Sequence, residues 1–501
     1  MDSTRSTWLK ATGVGASVAA GVGATWNPAL AVGATVGAIA LAFGLLFPVR
    51  LGKFFLAALG VVLIGYAFFN KGFAYFGVPP IFIGEIILAL GVLALAVSGD
   101  LRAALRSHIS WLLVLFALWG AVRTIPFIGV YKFDALRDGV LWGYGLFALL
   151  VPALLLRSGL LVSTPERYAR IVPWFLVALP VISVLDRSFS GVVPRYSDLI
   201  RGIAVADVPL IAFKAGDAAV HLAGVAVFMS LGLHQVGRGR AKLPVWLKEW
   251  FWWCCWLIGL LLSSTNRGGL VSVLVAALIV LALRPLSRWG KVLLIALTLT
   301  TFFFAFNIEI DVGDWQGRKV SPQQITERVQ TVFTPGSGDD ALEGNREWRL
   351  NWWSDIIGYT IRGEYFWKGK GFGINLAEDD GYQGQWEGLR SPHNGHMTIL
   401  ARMGVPGVAL WALLQGAFAL SLLRAYFVAR RAGQEWWARI DLWILAYWAA
   451  FMVNGTFDVF LEGPQGGIWF WCLFGFGITI LEAQREIAKR NLPGVLTQAA
   501  A

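Results

Sequence analysis

Two histidines lie where the longest polar stretch of this 501-residue sequence meets an apolar run. Pro392 followed by Asn394 predicts a helix start, because a proline and a capping side chain satisfy amide groups that lack a partner inside the helix. His393 would then lie at the positive end of the helix dipole, which favours the neutral imidazole that a general base needs. His396 would lie about one turn inside the helix. The alternative interpretation is that these residues only cap a helix.

Cations accumulate at two other places beside apolar runs. Arg267 lies in an Asn-Arg-Gly-Gly sequence at 266–269, between two hydrophobic runs with almost no loop around it. An arginine at a membrane boundary usually has an anionic partner or a water-filled cavity, although it can also extend to lipid headgroups. The segment before residue 218 carries further cations that could bind an anionic substrate, namely Arg195, Arg201 and Lys214.

Residues 308–395 form a polar segment too long for a passive connector, and long ordered loops tend to carry function. Within it, residues 345–362 place Trp348 and Trp352 at helical spacing. This pattern predicts an amphipathic helix that lies on the membrane surface and covers the cavity below it. Arg346 lies in this helix and is a further candidate for substrate binding.

A glycine-rich turn at 368–373 follows the amphipathic helix and carries Lys370, a cation that could approach phosphate or sugar closely. The turn lacks the strand and helix that would make it a nucleotide-binding fingerprint. Three consecutive acidic residues at 378–380 raise the alternative of a divalent metal site. We expect no metal, because arginines dominate the candidate site and could neutralise a diphosphate by themselves.

The composition excludes an ordinary soluble protein. The chain is 57% hydrophobic and 15% charged, with 25 Trp and 33 Phe, whereas soluble domains are about 45–50% apolar and about 25% charged. The three cysteines lie in apolar runs without metal-ligand spacing, so we expect neither disulfides nor a zinc site. The first apolar run merges into the next, so we expect no cleavable signal peptide.

Apolar runs of about 16–20 residues are each long enough to cross a bilayer as a helix. The sequence therefore predicts an all-α polytopic membrane protein with about 12–14 transmembrane helices and one large loop between late helices. The predicted spans are 11–25, 29–47, 54–69, 81–98, 110–126, 139–156, 172–186, 218–236, 250–265, 268–284, 290–307, 397–423, 438–455 and 466–481.

Lysine and arginine concentrate in alternate short loops, which places those loops in the cytoplasm. The segment 308–395, with fourteen acidic against nine basic residues, then faces the periplasm. The net charge of +11 reflects this loop pattern rather than nucleic-acid binding. The chain thus divides into N-terminal transmembrane helices (1–307), a large periplasmic loop (308–395), and C-terminal helices with a cytoplasmic tail (396–501).

Several of these motifs together resemble the O-antigen ligase and polymerase superfamily, in which a His-Asn or His-Ser pair opens the helix after a large periplasmic loop. The positions that carry the resemblance are His393, Asn394, Met397, Leu400, Gly404 and Gly407, the Asn-Arg-Gly at 266–268, the segment Arg346–Trp352, the glycines at 369, 371 and 373, and the basic loop 195–217. Two residues depart from the pattern: Asn266 replaces a usual serine, and Arg402 stands where many members have an acidic residue.

The resemblance implies an inverting glycosyltransferase of the bacterial inner membrane that needs neither cofactor nor metal. The donor would be a glycan on undecaprenyl diphosphate, with its lipid between helices and its diphosphate at the periplasmic surface. Arg267, with Arg201 or Lys214, would bind the diphosphate, and His393 would take the proton from the acceptor hydroxyl. The other candidate substrate-binding residues are Arg195, Asn394, His396, Arg346 and Lys370.

Several functions remain open at this stage. A ligase would move the glycan onto a lipid A-core acceptor, a polymerase would join lipid-linked repeat units, and a third possibility is transfer to protein. A transporter or flippase is the alternative from another class. It is disfavoured because the ionisable residues cluster at one membrane face, and even Asp217 and His221, the best exception, fall near that face.

Overall fold

A computed structural model describes residues 48–78, 81–98, 101–189, 191–199, 208–235, 245–264, 266–284, 301, 305–307, 309–311, 319–323, 326, 340–384 and 388–489. The described helices, in chain order, are α1 (Pro48–Phe69), α2 (Lys71–Ala74), α3 (Ile83–Ser98), α4 (Leu101–Ala104), α5 (His108–Tyr131), α6 (Phe133–Gly143), α7 (Phe147–Ser158), α8 (Ser163–Ser188), α9 (Tyr196–Leu199), α10 (Ala215–Ser230), α11 (Val245–Ser263), α12 (Arg267–Leu283), α13 (Asp340–Ile361), α14 (Leu376–Asp379), α15 (Gly395–Arg431), α16 (Glu435–Phe457) and α17 (Pro464–Lys489). Short 3₁₀ turns lie at Tyr144–Leu146, Leu233–Gln235 and Phe460–Glu462, and two antiparallel pairs of two-residue strands join Gly77–Val78 to Ile81–Phe82 and Ile310–Asp311 to Lys319–Val320.

Seven helical stretches among the described residues are long and apolar enough to cross a membrane. They are Arg50–Phe69, His108–Tyr131, Phe133–Ser158, Ser163–Asp186, Gly395–Arg431, Glu435–Phe457 and Pro464–Lys489. Four shorter apolar helices accompany them, at Ile83–Val97, Ala215–Ser230, Phe251–Ser263 and Arg267–Leu283. The prediction of an all-α polytopic membrane protein is confirmed.

Eleven of the fourteen predicted spans coincide with described helices. The predicted spans 11–25 and 29–47, and all but four residues of 290–307, lie outside the described residues. The described helices commonly extend several residues beyond the predicted limits, because a helix continues through polar turns where the hydrophobic signal ends.

Small residues allow the late helices to cross closely, as is usual for helices in a membrane. A Cβ atom built on Gly268 would lie 2.6 Å from the Cβ of Phe457 at the end of α16. A Cβ built on Gly269 would lie 2.6 Å from the Cβ of Ala219 near the start of α10. These contacts bring the N-terminus of α12 against both neighbours and so set the position of Arg267.

The helix α15 is broken at Gly404, whose φ of 68° and ψ of −170° are not helical. Trp411 donates a hydrogen bond to His396, fifteen residues earlier. In a straight helix these residues would be about 22 Å apart, because the rise is about 1.5 Å per residue. The predicted single helix over 397–423 is therefore wrong: residues 395–403 form a short helix that folds back against the long membrane helix beginning at Val405.

The glycine-rich turn caps this break rather than presenting an open surface. The amide groups of Lys370 and Gly371 donate to the carbonyls of Ala401 (2.7 Å) and Arg402 (3.0 Å), which lie near the end of the short helix. The amide of Val405 donates to the carbonyl of Phe366, over 2.8 Å. The turn therefore satisfies backbone groups that a broken helix leaves without partners. Its glycines permit close approach to protein backbone. From the sequence, we expected them to permit close approach to phosphate or sugar.

The predicted amphipathic helix is α13, but its apolar face packs on protein. Trp352 and Ile356 are fully buried in one cluster with Leu400 and Ala401 of α15. The short helix 395–403 supplies the apolar partner of this face, and the location of α13 at the membrane surface stays a prediction. The contact places α13 directly over the segment that carries the two histidines.

Candidate functional site

Four helix ends converge at one end of the helical core. Lys214 is the N-cap residue of α10, Arg267 is the first residue of α12, and Asn394 caps α15. Asp458 is the C-cap residue of α16. The site thus combines three helix N-termini, whose free amide groups and dipoles favour anions.

Asn394 confirms the predicted helix start. Its side-chain oxygen accepts hydrogen bonds from the amide groups of His396 (2.9 Å) and Met397 (3.1 Å), and the residue is 2% exposed. This capping role uses the carbonyl oxygen of the side chain within the protein. The assignment of Asn394 to substrate binding stays a prediction.

His393 is held in a sparsely populated backbone conformation, with a φ of 51°. The preceding carbonyl, of Pro392, accepts a hydrogen bond from Trp353 Nε1 over 2.9 Å. The imidazole is half-buried, and its ring centroid lies 6.3 Å from that of Trp348. Among the described residues no hydrogen-bond partner occupies either ring nitrogen of His393, so the ring is available to a ligand.

The pKa of His393 is lowered to about 4, chiefly by burial and next by the positive charge of Arg349. The Asp458 carboxylate acts in the opposite direction, and Lys214 again lowers the pKa. The imidazole is therefore neutral at physiological pH, as a general base requires. From the sequence, we expected the helix dipole to keep this imidazole neutral. In the structure, desolvation and neighbouring cations lower its pKa.

His396 is enclosed by protein contacts. Its Nδ1 accepts the indole N–H of Trp411 over 3.1 Å, and its Nε2 lies 3.1 Å from the carbonyl oxygen of Met452. An indole N–H can only donate and a carbonyl can only accept, so the proton must lie on Nε2. Both ring nitrogens are thus engaged in one fixed tautomer. This arrangement favours a packing role for His396 over the predicted substrate contact.

Lys214 lies between two buried carboxylates. Its Nζ is 2.6 Å from Asp458 Oδ2 and 3.7 Å from Asp217 Oδ1, and its side chain is 28% exposed. Burial lowers the pKa of Lys214, but the two carboxylates outweigh burial and raise it above the ordinary value. Lys214 also lowers the pKa of Asp458 by opposing the effect of burial. Both groups are therefore charged at neutral pH.

Three arginines extend the cationic surface from α12 to α13. Arg267 is half-buried, and among the described residues it has no carboxylate within ion-pair distance. The charge of Arg346 acts on Arg267, and Arg267 in turn acts on Arg349. Arg349 donates to the carbonyl of Phe457 over 3.1 Å, while its Nε is buried and has no partner in the part of the chain that the structure describes. These guanidinium groups offer charge-assisted donors to an anionic ligand.

Sequence reasoning missed three functional candidates. Lys71 is exposed at the start of α2, and the charges of Lys214, Asp458 and Asp217 act on its pKa. Arg349 and Asp458 likewise act on the pKa of His393. The only sequence signal for Lys71 and Asp458 was a charged residue directly after an apolar run. Five cations (Lys71, Lys214, Arg267, Arg346 and Arg349) against two carboxylates (Asp217 and Asp458) leave an excess of three positive charges.

The remaining candidates are two described residues, Arg195 and Lys370, and one that lies outside the described residues. Arg195 is exposed, and its amide group bonds to Asp198 Oδ2 over 3.0 Å. Arg201 lies outside the described residues. Lys370 contacts Asp380 and lies 2.5 Å from Asp379 Oδ2, so its charge is balanced within the protein. These substrate-binding assignments stay predictions.

The acidic residues at 378–380 are engaged with protein groups. Besides Lys370, the carboxylate of Asp380 accepts hydrogen bonds from Trp352 Nε1 (2.6 Å) and from the hydroxyl of Tyr359 (3.3 Å). The described residues contain no group of three or more His, Cys, Asp or Glu side chains suited to a metal ion. The local contacts of Asp379 and Asp380 are those of a structural cluster that fastens α13 to the loop.

Comparison with known families places this geometry in context. Residues 252–412 match the family model described as O-antigen ligase. The chain carries an O-antigen ligase domain. The matched residues include Arg267, Arg349 and His393, and they confirm the resemblance to the O-antigen ligase and polymerase superfamily. The match and the apolar helices support a multi-pass membrane enzyme of the O-antigen ligase or polymerase type. A search of curated proteins found no match.

The O-antigen ligase domain does not contain the whole site. Lys71 and Lys214 precede residues 252–412, and Asp458 follows them. The ion pair between Lys214 and Asp458 therefore joins two segments on either side of the matched domain. The complete cluster of cations and carboxylates therefore includes residues from both sides of the domain.

Proposed function

We propose that this protein transfers a glycan from undecaprenyl diphosphate to an acceptor hydroxyl with inversion at the anomeric carbon. The observation that carries the proposal is the contrast between two neighbouring histidines. His393 presents a neutral imidazole beside a cationic cluster, whereas both nitrogens of His396 are bonded to protein. A base beside an anion site is what attack on a glycosyl diphosphate requires.

The diphosphate would bind among Arg267, Arg349 and Lys214, with Lys71 and Arg346 at the edges of the pocket. The excess of three positive charges suits an anion that carries at least two negative charges. The Nε of Arg349 offers a donor that has no partner among the described residues. Guanidinium groups bind phosphate oxygens with two parallel hydrogen bonds and stabilise the charge that develops on the leaving group.

The chemical step follows from this placement. The acceptor oxygen attacks the anomeric carbon from the face opposite the diphosphate, and His393 takes the hydroxyl proton. The bond between the anomeric carbon and the diphosphate oxygen breaks, and undecaprenyl diphosphate leaves with the electron pair. The product has the inverted anomeric configuration. The imidazolium then returns its proton to solvent.

The site is proposed to face the periplasm. Arg267 and Gly395 begin α12 and α15 at the site end, so Leu283 and Arg431 mark the opposite end. That opposite end carries Arg284, Arg424, Arg430, Arg431 and Arg439, and cation-rich loops remain in the cytoplasm. Cysteine labelling tests this orientation: Glu378→Cys should react with an impermeant reagent in intact cells, and Ala432→Cys should not. Reaction of Ala432→Cys alone would reverse the assignment.

The acceptor separates the two candidate activities. A ligase acts on a lipid A-core, whereas a polymerase extends a lipid-linked repeat; the domain match supports either one. We propose the ligase and keep the polymerase as the alternative, because the domain match does not distinguish them. Deletion of the protein and analysis of lipid-linked glycans distinguish them: loss of a ligase leaves long lipid-linked polymer, and loss of a polymerase leaves single repeat units. Retention of undecaprenyl-linked units on the cytoplasmic side would instead indicate a flippase.

Direct transfer provides the decisive test. Purified protein in proteoliposomes should convert an undecaprenyl-diphosphate glycan and an acceptor into free undecaprenyl diphosphate and an inverted glycosidic product. Nuclear magnetic resonance of the new anomeric centre reports its configuration. A retained configuration would contradict single-step attack, and absence of transfer with both acceptor types would contradict the proposed function.

A further inference from the structure

The segment that carries His393 is tied to the start of a distant membrane helix. Asp138 lies in α6 and is 6% exposed. Its Oδ2 accepts hydrogen bonds from the amide of Gly373 and from Arg390 Nη2, each over 3.1 Å. Arg402 Nη2 lies 3.0 Å from the same oxygen. One carboxylate oxygen thus meets the glycine-rich turn, the loop before His393 and the end of the short helix after it.

The two arginines hold opposite ends of this segment. Arg390 precedes His393 by three residues, and its Nη2 also donates to the carbonyl of Gly373 over 2.9 Å. Arg402 is 1% exposed and donates from Nη1 to the carbonyls of Gly371 and Ile374, each over 3.2 Å. The short helix 395–403 and its preceding loop are therefore both fastened to α6 through the glycine-rich turn.

His393 needs such support because of its backbone. A φ of 51° is unfavourable for a residue with a side chain, and a strained conformation persists only where its surroundings over-determine it. Among the described residues, the other contacts that restrain the loop 388–394 lie in its later part. The Trp353 contact fixes the carbonyl of Pro392, and the Ser391 hydroxyl bonds to Glu462. Arg390 is the charged anchor of this loop.

We propose that Asp138 and Arg390 are positioning residues that fix the backbone conformation in which His393 faces the cationic pocket. The inference rests on the proposed function for its kinetic consequence, but the tether itself is a statement about structure. Asp138 serves two arginines with distinct tasks. Arg402 is buried, so its pairing stabilises the fold, whereas Arg390 is 23% exposed and its pairing orients the loop.

The chain offers a matched control for Arg390. Arg137 also lies near the same carboxylates, with Nη1 3.3 Å from Asp134 and Nε 3.6 Å from Asp138 Oδ1. Its side chain is 50% exposed and contacts no part of the loop before His393 among the described residues. Arg137→Met and Arg390→Met therefore remove the same charge from the same carboxylate cluster, but only the second removes the tether.

The kinetic test compares these variants in the proteoliposome transfer assay. Arg390→Met should lower kcat by about 10²-fold with an unchanged KM for the donor, because displacement of a catalytic group by about 1 Å can cost that much. Arg137→Met should stay within about threefold of wild type, since exposed ion pairs contribute little. Arg390→Lys should recover most of the rate, because an ammonium can reach both Asp138 and the Gly373 carbonyl. A raised donor KM in Arg390→Met would overturn the positioning role in favour of direct substrate binding.

Hydrogen exchange tests the tether without any assumed substrate. Peptides that cover residues 388–394 should exchange faster in Arg390→Met than in wild type, and not in Arg137→Met. Equal exchange in all three proteins would refute the tether even if transfer occurs. Faster exchange in Arg390→Met, together with a wild-type protein that shows no transfer, would support the tether while contradicting the proposed function.

Discussion

The clearest consequence of the site geometry is that two histidines three residues apart should respond in opposite ways to the same substitution. Glutamine is the matched replacement, because its amide can donate and accept a hydrogen bond but cannot act as a base at neutral pH. At His393 the substitution removes the proposed base. At His396 it replaces a ring that contacts Trp411 and the Met452 carbonyl.

General-base catalysis contributes about 10²–10⁴-fold to rate, so His393→Gln should lose about that factor in kcat. Donor binding should remain, since the cations proposed to bind the diphosphate are untouched. Thermal stability should be nearly unchanged, because the imidazole has no hydrogen-bond partner among the described residues and glutamine must adopt the same positive φ. His393→Gln thus separates chemistry from folding.

His396→Gln should retain transfer within about tenfold of wild type, a smaller loss than removal of a base would cause. The sterner variant is His396→Ala, which leaves the buried indole N–H of Trp411 without an acceptor. An unpaired buried donor costs about 1–3 kcal/mol of unfolding free energy. The Met452 carbonyl keeps another donor, because Thr456 Oγ1 also donates to it over 3.3 Å. His396→Ala should therefore lower the melting temperature more than the catalytic rate.

The assays are release of undecaprenyl diphosphate in proteoliposomes and thermal unfolding in detergent. The reasoning is refuted if His396→Gln loses transfer while His393→Gln keeps it. A parallel loss of rate and of thermal stability in both variants would also refute it, because the geometry assigns chemistry to one ring and packing to the other.

Three further predictions concern the base, the anion site and the broken helix. With a His393 pKa of about 4, kcat/KM should be constant near neutral pH and fall only near pH 4, where the base becomes protonated. The negative charge of bound diphosphate should raise this pKa, so that kcat falls at a higher pH than kcat/KM. A fall of both parameters at the same pH would contradict this coupling. Arg267→Lys should strongly impair transfer, since an ammonium cannot reproduce a planar two-pronged contact, while Arg431→Lys at the opposite end should not. Gly404→Ala should destabilise the protein by about 1–3 kcal/mol, because the φ of Gly404 is 68° and a Cβ would lie 2.6 Å from the carbonyl oxygen of Phe366. The control in thermal unfolding is Gly416→Ala, because a Cβ at Gly416 would meet nothing within 4 Å.

Local sequence signals predicted most of the apolar helices and the cap at Asn394, but not the break at Gly404. A long run of apolar residues predicts a membrane span from its own length and hydrophobicity, whatever helices pack beside it. Asn394 was recognisable as a cap, because a capping side chain bonds to amides two or three residues ahead in its own chain. The same local reasoning identified His393 at a helix start and Arg267 at a membrane boundary.

The tertiary structure decided the relations that span long distances in sequence. Nothing near His396 shows that its Nε2 meets the carbonyl of Met452, fifty-six residues away, or that Gly404 folds the helix back to Trp411. Lys214 meets Asp458 only because α10, α12 and α16 cross closely at small residues. Such pairings depend on helix crossings, which hydrophobic periodicity does not encode.

Arg402 illustrates the same division. The sequence identified it as a departure from the superfamily pattern, and its meaning appears only when Asp138 of α6 is found 3.0 Å away. A buried arginine requires a partner because an unpaired charge in an apolar interior is very costly. The sequence by itself determined that this is a polytopic helical membrane protein with a histidine at a helix start. The packing of distant helices decided which charges surround that histidine and which carboxylate holds its loop.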